Sequence, residues 1–172
     1  EIERIALEFF DLDPTAVATQ VIARDIHVDF LHVLAMIASS IERISVEIRH
    51  LQKTEVLEAQ EGFKKGHRGS SAMPHKKNPI LSERLTGLSR MVRSMVPIGY
   101  ENIILWHERD ISHSSTERFI FPESTQIVYY MTEKAQDLLN NLVVNEDRML
   151  KNIDASYGLV YSQRVMLFLI EK

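Results

Sequence analysis

The strongest constraint on the fold is a row of apolar residues that recur alternately every four and every three positions. The longest such row is Phe30, Leu34, Ile37, Ile41, Ile44, Ile48 and Leu51. Because this spacing keeps side chains on one face of an α-helix, the row predicts a long helix packed nearly parallel to its neighbours. Asp13, Pro14 and Thr15 are a typical helix start, so we expect this helix to span about 14–60.

Two further rows follow the same rule. They are Leu81, Leu85, Leu88, Val92 and Met95, and then Val128, Met131, Ala135, Leu138 and Leu142. The first begins after Asn78 and Pro79, which suit a cap and a first turn. We expect Pro97 and Gly99 to bend it, 121–124 to precede or kink the next helix, and 158–172 to form a last short helix. The chain shows no strand pattern of useful length, so the predicted fold class is all-α, a long-helix bundle.

Composition narrows the class of protein. The chain has 172 residues, of which 45% are hydrophobic and 26% charged, which are globular values. It contains no cysteine, which excludes disulfides and thiolate chemistry. No run of 18 apolar residues occurs, which argues against a transmembrane helix, and the net charge of −4 argues against nucleic-acid binding. Because the chain opens with Glu1 and not with Met, in what reads as the end of a helix, we expect a fragment of a longer protein that forms one partial helical domain over 1–172.

The segment 66–79, GHRGSSAMPHKKNP, is too irregular for a helix or a strand. Around it lies a run of bases that no acid interrupts: Lys64, Lys65, Arg68, Lys76 and Lys77. Such a patch favours a small polyanion as its partner. Glycines let backbone amides approach a ligand and prolines stiffen the other half, so we expect a mobile lid over about 61–80. The alternative is a solvated basic loop.

This segment resembles the catalytic loop of the fumarase/aspartase superfamily of lyases, whose GSS-x-MP-x-K-x-NP pattern it matches completely. The resemblance implies that Ser70 is the catalytic base. A serine hydroxyl is a poor base, and its alkoxide would need stabilisation by loop amides and by Lys76 in a dry site. Lys76 and Asn78 would bind a carboxylate and stabilise the charge that flows onto it when a proton leaves the neighbouring carbon.

Within the superfamily, the chain is most similar to the bacterial branch that cleaves succinylated purine nucleotides. The resemblance rests on SSAMPHKKNP, SERLTGLSR, GYENIILWHERDISHSSTERFIFP and GLVYSQRV, and covers essentially the whole chain, as the later part of a central helical domain. It implies β-elimination of fumarate from adenylosuccinate, giving AMP, and from SAICAR, giving AICAR. It also implies no cofactor and no metal, a cytoplasmic location, and a homotetramer with composite active sites.

The same resemblance assigns roles to individual residues. Besides Ser70, it implies a supporting catalytic role for Lys76 and Glu83, and it implies substrate contacts at Gln20, Ser71, Lys76, Lys77, Asn78, Arg109, Ser114 and Arg118. Arg109, Ser114 and Arg118 correspond to the phosphate site, where two arginines and a helix start suit an anion. An ion-pair network with Glu108, Asp110 and Glu117 is the alternative for the arginines, and a polar helix face is the alternative for Gln20 and Arg24.

The general acid of the proposed elimination has no counterpart here. In the family it is a histidine from a segment upstream of Glu1, and His75, His107 and His113 do not match that role. We therefore expect this chain alone to be inactive. Two other functions stay open: another lyase of the superfamily, such as argininosuccinate lyase, and a helical-bundle interaction module without chemistry.

Overall fold

The computed structural model describes residues 1–62, 76–109 and 111–171. Most of the predicted lid, with Ser70 and Ser71, lies outside the described residues.

Long helices make up most of the described chain. The α-helices are α1 Ile2–Phe9, α2 Arg24–Leu51, α3 Ile80–Glu101, α4 Ser112–Asn140, α5 Glu146–Asp154 and α6 Ser162–Ile170. A 3₁₀ turn, Leu159–Tyr161, leads into α6. Two short strands, β1 Ala59–Gln60 and β2 Val143–Val144, pair antiparallel, with Ala59 opposite Val144 and Gln60 opposite Val143. The prediction of an all-α fold is confirmed.

The predicted bounds of the first long helix are wrong at both ends. Residues 14–20 are exposed and adopt no helix, and without tertiary packing a short helical segment is marginal in water. The helix begins instead at Arg24. At the other end it stops at Leu51, and the chain turns back so that the Glu58 N–H donates to the Leu51 carbonyl at 3.0 Å. Leu57, with φ 50°, adopts the left-handed conformation in this turn.

Prolines lie inside two helices without ending them. Pro97 lies within α3 and Pro122 within α4. Residues 121–124 therefore do not precede the third helix, because α4 already begins at Ser112. The alternative, that they kink this helix, stays a prediction. Gly99 serves close packing in α3, since a Cβ there would lie 2.8 Å from Leu31 Cδ1.

The chain forms two compact units. The first comprises Glu1–Ala38 and Arg90–Val128, and the second comprises Ser39–Ser89 and Tyr129–Lys172. In the first unit, Leu31, Met95 and Ile120 form a core against which Val96, Phe121 and Ile127 pack. In the second, the buried apolar side chains include Ile41, Ile48, Leu85, Met131 and Leu138. The prediction that 1–172 belong to one domain stays a prediction.

Only alternate members of the first apolar row are buried. Leu34, Ile41 and Ile48 are at most 9% exposed, whereas Phe30, Ile37 and Ile44 are 40–47% exposed. The buried face of α2 is completed by other side chains, namely Leu31, Ala35, Ala38 and Ser45. The helix thus carries a second apolar face that the described chain leaves uncovered. None of the described helices is long and apolar enough to span a membrane.

Candidate active site

Three of the residues predicted to bind a carboxylate are described by the structure, and they lie where the chain enters α3. Lys76 and Lys77 are exposed and Asn78 is half-buried. The Asn78 carbonyl accepts the Ile80 N–H at 2.9 Å, and the Pro79 carbonyl accepts the Glu83 N–H at 2.9 Å. This turn places Lys76–Asn78 at the amino end of a helix, where the helix dipole favours bound anions.

Predicted site residues line several recesses of the second unit, and Lys77 lies at more than one of them. Lys77 and Glu83 line one of about 360 Å³, together with cationic Arg49 and Lys53. Asn78 lines another, with Glu61 and Arg84 among its neighbours. The structure therefore brings Lys77 and Glu83 to one recess and places Asn78 in another.

Two buried polar residues of the second unit belong to none of the predicted motifs. Gln52 and Glu61 are each 8% exposed. The Gln52 amide oxygen accepts the Glu61 N–H at 2.9 Å, and its Nε2 donates to the Lys77 carbonyl at 3.0 Å. Their positions in the sequence could have indicated a structural role. Gln52 is a polar residue at the end of the first apolar row, and Glu61 is an acid just before a basic run.

In the first unit, two segments about 90 residues apart lie side by side. The Thr19 hydroxyl donates to the Glu108 carbonyl at 3.3 Å. Arg24 donates to both carboxylate oxygens of Glu117, at 2.6 Å and 3.1 Å. Gln20 and Arg109 directly follow Thr19 and Glu108, so the structure brings the backbone of these two predicted substrate-binding residues into one neighbourhood.

The bidentate pair with Arg24 sets the protonation of Glu117. Burial raises the pKa of Glu117, but the hydrogen bond and charge of Arg24 outweigh it, with help from His27 and His113, and the pKa is lowered from its usual 4.5. The side chains of Arg24 and Glu117 are 10% and 15% exposed, so this pair is largely shielded from water. Arg24 is thereby committed to an ion pair within the chain.

The Arg24–Glu117 pair removes one partner from the alternative interpretation of Arg109 and Arg118, in which they form an ion-pair network with nearby acids. Glu117 is occupied by Arg24, and within the described ranges neither Arg109 nor Arg118 forms an ion pair with a carboxylate. Both arginines are exposed. Ser114 and Arg118 are four residues apart near the start of α4, which places them on one helix face. Asp110, the third acid of the alternative network, lies outside the described residues. With respect to the described carboxylates, both guanidinium groups remain available for an anion.

The turn before α4 has an unusual backbone. His107 has φ 52°, a left-handed conformation that costs free energy in a residue other than glycine and is frequent at functional sites. The Arg109 N–H donates to the Trp106 carbonyl at 3.3 Å across it. His113 is buried, and among the described residues its Nδ1 has no hydrogen-bond partner. Within the same ranges no group of three or more His, Cys, Asp or Glu residues could hold a metal ion.

Three curated proteins that are similar to this chain over its whole length share one name. The chain is 62% identical to the adenylosuccinate lyase of Thermotoga maritima, 49% identical to that of Synechocystis sp., and 51% identical to that of Staphylococcus saprophyticus subsp. saprophyticus, each over 172 residues. Each match covers 100% of this chain and 40% of the relative. The chain thus spans less than half the length of these relatives.

Solved structures show the same fold. The fumarate lyase of Mesorhizobium sp. BNC1 superposes with a TM-score of 0.80 at 24% identity, over 98% of this chain and 36% of that one. The 3-carboxy-cis,cis-muconate lactonizing enzyme of Pseudomonas putida gives 0.73 at 28% identity, over 84% of this chain and 31% of that one. Residues 2–94, more than half of the chain, match the protein family described as Lyase. The chain therefore belongs to this lyase family.

Proposed function

We propose that the complete protein is a C–N lyase that eliminates fumarate from adenylosuccinate, giving AMP, and from SAICAR, giving AICAR. The observation that carries the proposal is the 62% identity to the adenylosuccinate lyase of Thermotoga maritima over the whole chain. Arg109 and Arg118, which are exposed and have no carboxylate partner among residues 1–62, 76–109 and 111–171, support it, because the substrate of such a lyase carries a phosphate.

In the proposed reaction, the alkoxide of Ser70 removes a proton from the carbon beside a succinyl carboxylate and becomes the neutral hydroxyl. The electron pair moves onto that carboxylate, which then carries more negative charge. Lys76 and Asn78 therefore bind the carboxylate more strongly in the transition state than in the ground state. The electron pair then forms the carbon–carbon double bond of fumarate as the C–N bond breaks. The leaving nitrogen takes a proton from a histidine of another segment.

The remaining predicted site residues bind the substrate or support catalysis. Ser71 and Lys77 join the carboxylate-binding group, and Glu83 supports catalysis from the first turn of α3. Arg109, Ser114 and Arg118 bind the nucleotide phosphate, and Gln20 contacts the substrate. The proposal includes a homotetramer with composite sites, a cytoplasmic location, and a position of this chain in the later part of a central helical domain.

A substrate comparison tests the proposal. The complete protein is supplied with adenylosuccinate, SAICAR and argininosuccinate, and release of fumarate is measured. We expect cleavage of the first two only. Cleavage of argininosuccinate alone would favour another lyase of the superfamily, and cleavage of none would favour an interaction module.

A further inference from the structure

The side chain of Gln52 joins the two chain segments that flank residues 63–75. Its amide oxygen accepts the N–H of Glu61 on one side at 2.9 Å, and its amide nitrogen donates to the carbonyl of Lys77 on the other at 3.0 Å. Gln52 is 8% exposed, so these bonds are shielded from water. One buried side chain therefore sets the separation between Glu61 and Lys77.

The Glu61 carboxylate holds the start of α3. It accepts the Leu81 N–H at 3.2 Å and the Ser82 N–H at 2.7 Å. Amides in the first turn of a helix lack partners within the helix, and a carboxylate there also gains from the helix dipole. Glu61 thus caps a helix from 20 residues upstream.

Glu61 is itself held from behind. Gln60 pairs with Val143 in the two-stranded ladder. At Gly62, an added Cβ would lie 2.2 Å from the Asn141 carbonyl oxygen, so the backbone passes too close to Asn141 for any side chain. The carboxylate of Glu61 therefore projects from a backbone that is fixed on both sides.

Lys76–Asn78 lie between these two attachments. Gln52 holds the Lys77 carbonyl, and Glu61 holds the helix that begins two residues after Asn78. We propose that Gln52 and Glu61 are positioning residues that set the placement of the carboxylate-binding residues Lys76 and Asn78. This inference rests on the proposed function. Gln52 and Glu61 act through the Lys77 backbone and the α3 amides rather than through contact with substrate.

Product inhibition of the complete protein separates positioning from general damage. The inhibition constant of fumarate measures binding to the carboxylate-binding residues, and the inhibition constant of AMP measures binding to the phosphate-binding residues of the first unit. For Gln52→Ala we expect the fumarate inhibition constant and the KM for adenylosuccinate to rise about tenfold, a typical loss for one or two buried hydrogen bonds. The AMP inhibition constant stays within about twofold of the unsubstituted protein, a change well below the loss of one hydrogen bond.

A second variant and a control complete the design. Glu61→Gln keeps the shape of the side chain but offers one acceptor oxygen to the two α3 amides, and we expect the same division between fumarate and AMP. If Gln52→Ala does not fold, the Glu61→Gln variant tests the positioning role by itself. Gln60→Ala is the matched control, because Gln60 is a nearby glutamine whose side chain has no hydrogen bond among the described residues. It should behave as the unsubstituted protein.

The outcomes distinguish the two claims. If the variants weaken the binding of fumarate and of AMP equally, or weaken neither, the positioning role is overturned while the proposed function stands. Failure of the unsubstituted protein to cleave adenylosuccinate would contradict the proposed function itself.

Discussion

At the scale of single residues, charge pairing decides which groups remain available for a ligand. Arg24 and Glu117 satisfy each other in a two-bond pair, and Gln52 and Glu61 satisfy backbone groups around α3. Arg109 and Arg118 stay exposed. The predicted phosphate site therefore contains two arginines that form no ion pair with any carboxylate among the described residues.

The Arg118→Ala variant tests whether Arg118 binds the nucleotide phosphate. We expect the KM for adenylosuccinate and the AMP inhibition constant of the complete protein to rise at least about tenfold, since charge-assisted hydrogen bonds are worth about 1.5–3 kcal/mol. The fumarate inhibition constant should hardly change. Arg43→Ala, at an exposed position of α2, is the control. Unchanged AMP binding in Arg118→Ala would remove Arg118 from the phosphate site.

Glu117→Gln tests the ion pair through stability. Because the folded pKa of Glu117 is lowered, its stabilisation is complete above the usual value of 4.5 and is lost as pH falls through the folded value. We expect the variant to be less stable by about 1–3 kcal/mol at pH 7. The difference from the unsubstituted chain should shrink below the usual pKa.

Urea denaturation of the chain at a series of pH values measures this difference. Glu123→Gln is the matched control, since Glu123 is exposed on the same helix. A constant difference between Glu117→Gln and the unsubstituted chain down to the acid range would show that the pair does not contribute through ionisation.

At the scale of elements, the apolar rows predicted which helices exist but not where each begins or which side it buries. Ile41 and Ile44 belong to the same row, yet Ile41 is 8% exposed and Ile44 is 42% exposed. Spacing identifies an apolar stripe, whereas burial depends on which neighbours reach it. The start at Arg24 and the cap from Glu61 were equally hidden, because both depend on contacts between residues far apart in sequence.

Ile41→Ala and Ile44→Ala form a matched pair on α2. Both remove the same atoms, so their difference reports burial. For the monomeric chain, at a protein concentration too low for association, we expect Ile41→Ala to lower the free energy of unfolding by about 2–4 kcal/mol and Ile44→Ala by under about 1 kcal/mol. Equal losses in chemical denaturation would mean that both faces of α2 are covered.

At the scale of the whole molecule, much apolar surface has no cover within the described chain. Residues 157–170, which include α6, are all exposed, and so are Phe30, Ile37 and Ile44 of α2. Exposed apolar surface of this kind marks association sites. The motifs of the candidate site could be predicted from the sequence because they are local, whereas an assembly depends on surfaces that no motif describes.

The isolated 172-residue chain should therefore self-associate and should not cleave adenylosuccinate. Sedimentation measures the first property and fumarate release the second. A monomer at all concentrations would contradict the association, and measurable cleavage would show that the site does not need a histidine from another segment.

Ser70, in the segment 66–79, is proposed to act as the base of the lyase. The most direct measurement is adenylosuccinate turnover by the complete protein with Ser70→Ala, alongside circular dichroism and AMP binding. We expect kcat to fall by at least about 10²-fold, the lower range for loss of a general base, with folding and AMP binding intact. Turnover within a few fold of the unsubstituted protein would contradict the claim.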